Sequence, residues 1–562
     1  MSLNGALSIG QTAMAASQAA LQVVGNNVAN VSNPNYADEL ADVSSNPDQQ
    51  LGPGLFVGTG VDLSSVQRQV DEALNSRLNS GISDNQAANV TQQWSGQIQS
   101  VFNALGSDSL DSQFNNFMND WSQLANSPTD SSQRQVVVQD GSALAQQLNN
   151  LDSQLGTMQT QIGTQLGDLA SNATQLAQQI ATLNQQISNS GGSDNSLLDQ
   201  RDAAVQSLSQ LVNIQTVNQG NGTVNVYIGS DPLVLGTSAD GLKVQTQTVN
   251  GQPSYQLQFA SNGGTVSATS GQLGATLSAQ TQVSGVIGQL NTLAGGLIFG
   301  LNSVYSSGQG TAGFTSVTGT NQVLDPSATL NSSAAGLAFQ PVNGSFVVTV
   351  TNTQTGLASS TLVPVNLTGA SSDTTLNSLV TSLNAIPHVS ASIQGGKLNI
   401  STTSPGEQIT FSQDSSHVLA ALGINTFYQG SNAGDIAVNP MVANNTQYLA
   451  AAQNGQPGDN QTALAIAQLG STAQASLGGS SWLDAYNGMI NSLATTASQA
   501  TNDAQSTLDI VNTLKAQQQS VSGVSIDNET INMMQQQRAF QGAAQLITTI
   551  NTMMTSLMDI TL

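Results

Sequence analysis

The stretch LNGALSIGQTAMAASQAALQVVGNNVANV, residues 3–31, decides how the rest of the chain is read. Leu7, Met14, Leu21 and Val28 recur at sevens. Leu3, Val24 and Val31 fill the complementary positions, with Gly10 and Ser17 as small members of that row. Apolar side chains at this spacing keep one seam of a helix facing a partner helix. The far end carries a matching pattern. Met533, Phe540, Ile547 and Met554 are spaced by seven, and Ala543, Ile550 and Leu557 follow the last three by three. Two amphipathic helices in one core would give the same spacing. The sharper expectation is that the two ends pair with each other, antiparallel, and that the pair is completed only in an assembly. Each seam is too short to be a stable isolated helix pair in water.

Composition narrows the function classes. At roughly 100–200 residues per domain, 562 residues allow three or four domains. Charged residues make up 7% of the chain, against about 25% in an ordinary soluble protein. With 8 Lys+Arg against 32 Asp+Glu the net charge is −24, which argues against nucleic acid and against an anionic membrane surface. No apolar stretch approaches the ~18 residues of a membrane span, so no membrane insertion is expected. Cysteine is absent. His388 and His417 read as surface or turn residues of a β-rich region, and Glu occurs only at 39, 72, 407 and 529. No metal-binding, nucleotide-binding or nucleophilic motif stands in this inventory, so neither an enzyme nor a cofactor is expected. Met1 to Tyr36 contains no charged residue and the first arginine is Arg68, so the basic region that opens a secretory signal is not there.

Between the ends the period alternates between helix and strand. Apolar positions 148, 151, 155, 158, 162, 166, 169, 173, 176, 180, 183 and 187 predict one long helix with a stutter after Ile162. Val283 to Val304 and Tyr486 to Val511 predict two more, and an earlier helix is expected around Val90 to Leu105. Val212-Ile214-Thr216 and Val224-Val226-Ile228 flank the turn Gln219-Gly220-Asn221-Gly222, and Val249-Asn250-Gly251 marks a second hairpin. Phe346, Val348 and Val350 open a larger β-rich stretch, interrupted by a short helix from Leu376 to Ile386. The fold class is therefore mixed and multidomain: coiled-coil-like terminal helices, an elongated discontinuous helical bundle with a small β-hairpin region, and an inserted β-rich domain. The expected divisions are 1–45 and 520–562 for the terminal domain, and 46–211, 276–306 and 441–519 for the rod. The hairpins take 212–275, and the insertion 307–440.

Three strings point to a family. Gly25-Asn26-Asn27-Val28-Ala29-Asn30, then Asn33-Pro34-Asn35-Tyr36, resembles the N-N-(I/V)-A-N-x-x-x-x-G-Y signature of the flagellar axial proteins of rod, hook and hook-associated type. Asn26, Asn27, Asn30 and Tyr36 are its matching residues. Asn35 stands for the usual Gly, a substitution tolerable because Asn visits the left-handed region, and Ala37-Asp38-Glu39 replaces the usual polar or basic pair. Ser522-Gly523-Val524-Ser525-Ile526-Asp527 through Gln541 resembles the family's closing segment. The string Leu197-Leu198-Asp199-Gln200-Arg201-Asp202 resembles the members that join hook to filament, as do Leu290 to Asn302 and Gly455, Pro457-Gly458-Asp459-Asn460, Ala463-Leu464. Ser196 reads as the N-cap of the helix carrying that string, with Asp199 in a capping-box position. Arg201 falls on the apolar face of Leu198 and Val205, which predicts a structural ion pair bridging to a neighbouring helix.

The resemblance implies a structural, non-enzymatic flagellar subunit in a ring-like or helical homo-oligomer between hook and filament. Its implied partners are the hook protein, the next hook-associated protein on the filament side, and a flagellar export chaperone. It implies an extracellular location reached by type III export without a cleaved signal peptide. A hook or rod protein shares the terminal motifs. A secreted β-domain adhesin with coiled-coil oligomerisation is the reading from another class.

Overall fold

Residues 3–102, 109–249, 251–456 and 458–560 are described in a computed structural model. Asn250 of the second hairpin signal, Pro457 of the P-G-D-N string and residues 103–105 at the expected end of an early helix lie outside them. In chain order the elements begin with α1 (Leu3–Asn30) and a ribbon of four strands, β1 (Glu39–Ser45), β2 (Gln49–Gly52), β3 (Leu55–Val57) and β4 (Val61–Arg68). Four helices follow: α2 (Glu72–Phe102), α3 (Leu110–Asn126), α4 (Ser131–Asn189) and α5 (Asn195–Leu211). Next come β5 (Gln215–Asn218), β6 (Val224–Ile228), β7 (Asp231–Leu235), β8 (Ser238–Ala239), β9 (Leu242–Val249), β10 (Gln252–Phe259) and α6 (Gly271–Tyr305). The β-rich stretch holds β11 (Ser316–Thr318), β12 (Gly344–Asn352), β13 (Ala358–Val365), α7 (Leu376–Asn384), β14 (Val389–Gln394), β15 (Lys397–Thr402) and β16 (Glu407–Ser412). It continues through α8 (Val418–Leu422), β17 (Tyr428–Gln429), β18 (Ala437–Val438), α9 (Pro440–Asn444) and α10 (Gln461–Gln468). The long helices α11 (Trp482–Ser522) and α12 (Ile526–Ile560) close the chain.

These elements form two compact units. The first takes residues 1–93, 162–279 and 499–562, and the second takes 94–161 and 280–498. In the first, α1 and α12 pack antiparallel: Asn27 meets Glu529, and Gly10 meets Ala543 and Ile547. Leu74, Leu78 and Ile82 of α2 form a small core with Val511 and Leu514 of α11. β5 to β8 form one antiparallel sheet, and β9 pairs with β10. The expected helix from Leu148 to Ile187 begins 17 residues earlier, at Ser131. Buried Val137, Val138, Leu144 and Ala145 carry its apolar stripe back past Leu148. The stretch 46–68, expected within the helical part, is instead the strand ribbon. β1 is mostly exposed and β4 only half-buried, so the alternation that announces it is confined to Val61-Asp62-Leu63-Ser64.

In the second unit the β-rich stretch buries Phe346 and Val348 of β12, Ile409 and Phe411 of β16, Leu398 and Ile400 of β15 and Leu376 and Leu383 of α7 in one core. Thr375 and Ser378 form a reciprocal cap on α7. The unit's other core is aromatic. Trp482 stacks on Phe114 at 4.1 Å, and Phe427 packs against Phe117, Trp121 and Tyr305. Beneath it Arg134, 3% exposed, donates from Nε to the Pro128 carbonyl at 2.8 Å and from Nη1 to those of Thr446 and Leu449 at 3.0 and 2.7 Å. This guanidinium replaces water for three carbonyls, and burial pulls its pKa down. Arg134→Met, which keeps the stem and removes the donors, is expected to cost about 2–4 kcal/mol. The readout is thermal melting followed by tryptophan fluorescence, since Trp94, Trp121 and Trp482 all lie in this unit.

Both histidines sit at turns with positive φ, His388 at 68° and His417 at 55°. Outside glycine the only other described residues with positive φ are Gln413 and Asn425. Asn35 is therefore not left-handed, and the turn before Tyr36 needs no glycine.

Candidate assembly junction

The site is built where α1 ends. Asn30 turns its side chain back, donating from Nδ2 to the carbonyl of Asn26 at 3.0 Å and so satisfying an orphan acceptor of the last helical turn. Asn26 donates to the Tyr36 hydroxyl at 3.2 Å. Asn27, 1% exposed, is the hub. Its Oδ1 accepts from the Tyr36 hydroxyl at 2.7 Å and from the Glu39 backbone N–H at 3.1 Å. Its Nδ2 reaches Asp38 Oδ1 at 2.7 Å, the Glu39 carbonyl at 2.9 Å and Glu529 Oε2 at 3.0 Å. Glu529 belongs to the Ser525-Ile526-Asp527-Asn528-Glu529 string that opens α12, so Asn27 joins the two terminal motifs directly. Ser522, at the end of α11, accepts from the Asp38 backbone N–H at 2.9 Å. Burial first, then the Glu39 carboxylate, pushes the Tyr36 phenol well above its ordinary value, so it stays a donor.

Along the paired helices the buried row differs from the expected one. Gly10, Ala16, Ser17, Ala20, Val24 and Asn27 are the buried positions of α1. Leu3, Leu7, Met14, Leu21 and Val28 are half-buried beside them. On α12, Ala543 and Ile550 are buried, while Met533, Phe540, Ile547 and Met554 are half-buried. The reason is close approach. A Cβ on Gly10 would lie 2.8 Å from Ile547 Cγ1, so the isoleucine occupies the space that the missing side chain leaves. Two members of the expected interface fall outside the seam: Val31 lies one residue past the end of α1 and is 37% exposed, and Leu557 is 57% exposed. Ile531, Met534, Leu546 and Met553 of α12 are exposed as well.

The L-L-D-Q-R-D string holds the ribbon to α5. Arg68, the last residue of β4, places Nη1 2.6 Å from Asp199 Oδ1 and 3.0 Å from Asp202 Oδ2. Asn195 donates to the Val66 carbonyl of the same strand at 3.1 Å. The expected helix-bridging role of Arg201 is not what forms. Its acid partner is the adjacent Asp202 at 2.8 Å, and Nη1 donates to the Gly222 carbonyl at 2.9 Å, pinning the β5–β6 turn. The helix is capped by Asp194, which accepts from the Leu197 N–H; Ser196 already lies inside it, and Asp199 is engaged by Arg68 rather than in a capping box. Burial raises the Asp199 carboxyl and the Arg68 guanidinium pulls it back down. A cleft of about 1090 Å³ opens beside this cluster, walled by Tyr36, Arg68, Asp199, Asp202, Lys515 and Gln518. Sequence reading missed Arg68, Asp38 and Glu529; the signal for Arg68 was its being one of five arginines among many aspartates.

The comparisons with known proteins agree with this architecture. The family model described as the flagellar hook-associated protein FlgK helical domain matches residues 95–321. The one described as the flagellar basal body rod FlgEFG protein C-terminal matches 516–560. The flagellar hook-associated protein 1 of Escherichia coli K12 is 23% identical over 573 residues, covering 97% of both chains. Its namesake from Salmonella typhimurium is 23% identical over 97% of this chain and 98% of its own. The structure of the flagellar hook junction protein FlgK from Burkholderia pseudomallei superposes with a TM-score of 0.50 and 18% identity. The match covers 80% of this chain and 100% of that one, a likeness of fold. Joined terminal motifs and a mixed helix-and-strand body resemble those of flagellar axial proteins of the hook-associated kind. Within that class the chain is similar to flagellar hook-associated protein 1 along nearly its whole length.

Proposed function

We infer that this chain is a structural subunit at the junction between flagellar hook and filament, incorporated through its paired terminal helices. The observation that carries this reading is the end of the first unit. There the two terminal motifs close on Asn27, while Ile531, Met534, Leu546 and Met553 of α12 are exposed in the single chain. Apolar side chains exposed beside a closed junction suit repeated contacts between copies, the heterologous kind that builds rings and helical assemblies. In this reading the terminal heptad positions other than Val31 and Leu557 form the assembly interface, and the β-rich stretch 307–440 is its outward domain. The hook protein and the next hook-associated protein are its neighbours, an export chaperone escorts it, and its role is mechanical. The location is extracellular, after type III export.

Deletion of the gene tests the reading. Hooks are expected to assemble while filament subunits are secreted without polymerising, seen by electron microscopy of cells and by protein in the medium. Normal filaments with poor surface attachment would favour the adhesin reading instead.

A further inference from the structure

The side-chain amide of Asn27 faces more acceptors than it has hydrogens. A primary amide carries two N–H bonds, yet Nδ2 lies within hydrogen-bond reach of Asp38 Oδ1, the Glu39 carbonyl and Glu529 Oε2. The amide oxygen already accepts from Tyr36 and Glu39 and offers no relief. Asn532 donates to the other oxygen of Glu529 at 2.9 Å. One of these three acceptors, two of which are acid oxygens, is thus short of a donor. The shared nitrogen also brings the Asp38 and Glu529 carboxylates within about 6 Å of each other, close enough for like charges to oppose. A proton on either acid supplies the missing donor and removes the repulsion.

We propose that Asp38 and Glu529 are a proton-operated lock on the junction of the terminal helices: one proton between them closes it, and loss of that proton loosens it. The surroundings favour the proton. α1 offers no charge, and the end of α11 offers only the Ser522 carbonyl to the Asp38 N–H. Glu529 comes from α12 and Glu39 from β1. Asp199 of α5 reaches only the Ala37 N–H, at 3.5 Å. Of the cations in this neighbourhood, Arg68 of β4 is held by Asp199 and Asp202, and Lys515 of α11, on the wall of the same cleft, pairs with neither Asp38 nor Glu529 among the described residues. Burial first, and the Glu529 charge second, hold the Asp38 carboxyl up to about 6, against the opposing pull of the Glu39 N–H. For an acid raised in the closed state, the stabilisation is fully present below the ordinary aspartate range. It is lost as pH rises through about 6.

The absence of cysteine makes the test clean. Nitroxides placed at Gln22→Cys and Gln535→Cys, on exposed positions of α1 and α12, report the helix separation in the full chain by pulsed electron resonance. The expected distribution is narrow at about pH 5 and loses most of its narrow component at about pH 7.5. Asp38→Asn, with its own permanent donor, is expected to keep the narrow component at both pH values, and Glu529→Gln provides the same relief from the other side. A distribution unchanged by pH in the parent overturns the proposal. So does a pH response that survives both substitutions, or a failure of both variants to give the narrow component at either pH.

Discussion

Val24→Asp and Ile550→Asp, each made alone, are expected to abolish incorporation of the chain into flagella while its export and the melting of its second unit stay unchanged. Val24 is 6% exposed and Ile550 3% exposed, the best-buried large aliphatic positions of the α1–α12 pair. An aspartate at 550 has no cation on either helix to meet, and one at 24 has on α12 only the exposed Arg538 further along. Met1 to Tyr36 holds no charge, and from Ala539 to Met558 α12 holds none. The substitution removes the transfer free energy of an aliphatic side chain and leaves an uncompensated charge, together about 3–5 kcal/mol. A pair of helices with so few large buried side chains has less than that to lose, since isolated helix pairs are marginal in water. Tryptophan fluorescence separates this outcome from general unfolding, because all three tryptophans belong to the other unit. Val24→Ala, which shortens the side chain without charge, is expected to reduce incorporation only partly. Electron microscopy counts of filamented cells measure both. Normal filament numbers with Val24→Asp would show that the α1–α12 seam is not what assembles.

That test uses residues which the repeat of sevens located only approximately. The repeat of sevens expected both termini to be helices with an apolar row, because apolar spacing near 3.5 is set by helix geometry alone. It misjudged which row lies deepest. Large side chains at 7, 14, 21 and 28 looked like the seam, yet close approach favours the row with Gly10 and Ser17, where Ile547 fills the gap. Volume complementarity between two distant segments is not written in either one. The long helices were legible from their stripes, with α4 underestimated where Gly141 and the polar residues around it dilute the pattern. The β1–β4 ribbon was not legible, since only β4 carries a short alternation, Val61-Asp62-Leu63-Ser64, and β1 is mostly exposed. Its attachment was not legible either: the pairing of Arg68 with Asp199 and Asp202 spans more than 130 positions of sequence. Asn27 shows the same limit. The motif announced its importance, but its partners Asp38 and Glu529 emerge only when the two ends of the chain are brought together.

Arg68→Ala is expected to release the ribbon from α5, whereas Arg201→Ala affects mainly the β5–β6 turn. Arg68 faces two acids with a side chain 11% exposed, against 12% for Asp199 and 34% for Asp202. Its removal leaves Asp199 buried with no cation, while Asp202 keeps Arg201 at 2.8 Å. Breaking a fully buried pair costs about 3–5 kcal/mol, and the partial exposure of Asp202 brings the expectation here down to about 2 kcal/mol. Expressed as local opening, that is a roughly thirtyfold faster amide exchange in β1 and β4. The Asn195 contact to Val66 remains and keeps the loss from being complete. Arg68→Lys retains the charge but has one nitrogen to serve two carboxylates, so an intermediate effect is expected. Arg201→Ala removes the donor to the Gly222 carbonyl and should speed exchange around the β5–β6 turn more than in the ribbon. Because both arginines share Asp202, the double variant is expected to depart from additivity, the sign of a coupled network. Equal exchange in β1 and β4 for the parent and Arg68→Ala would show that strand docking rests on backbone contacts and that the charge cluster is incidental to it.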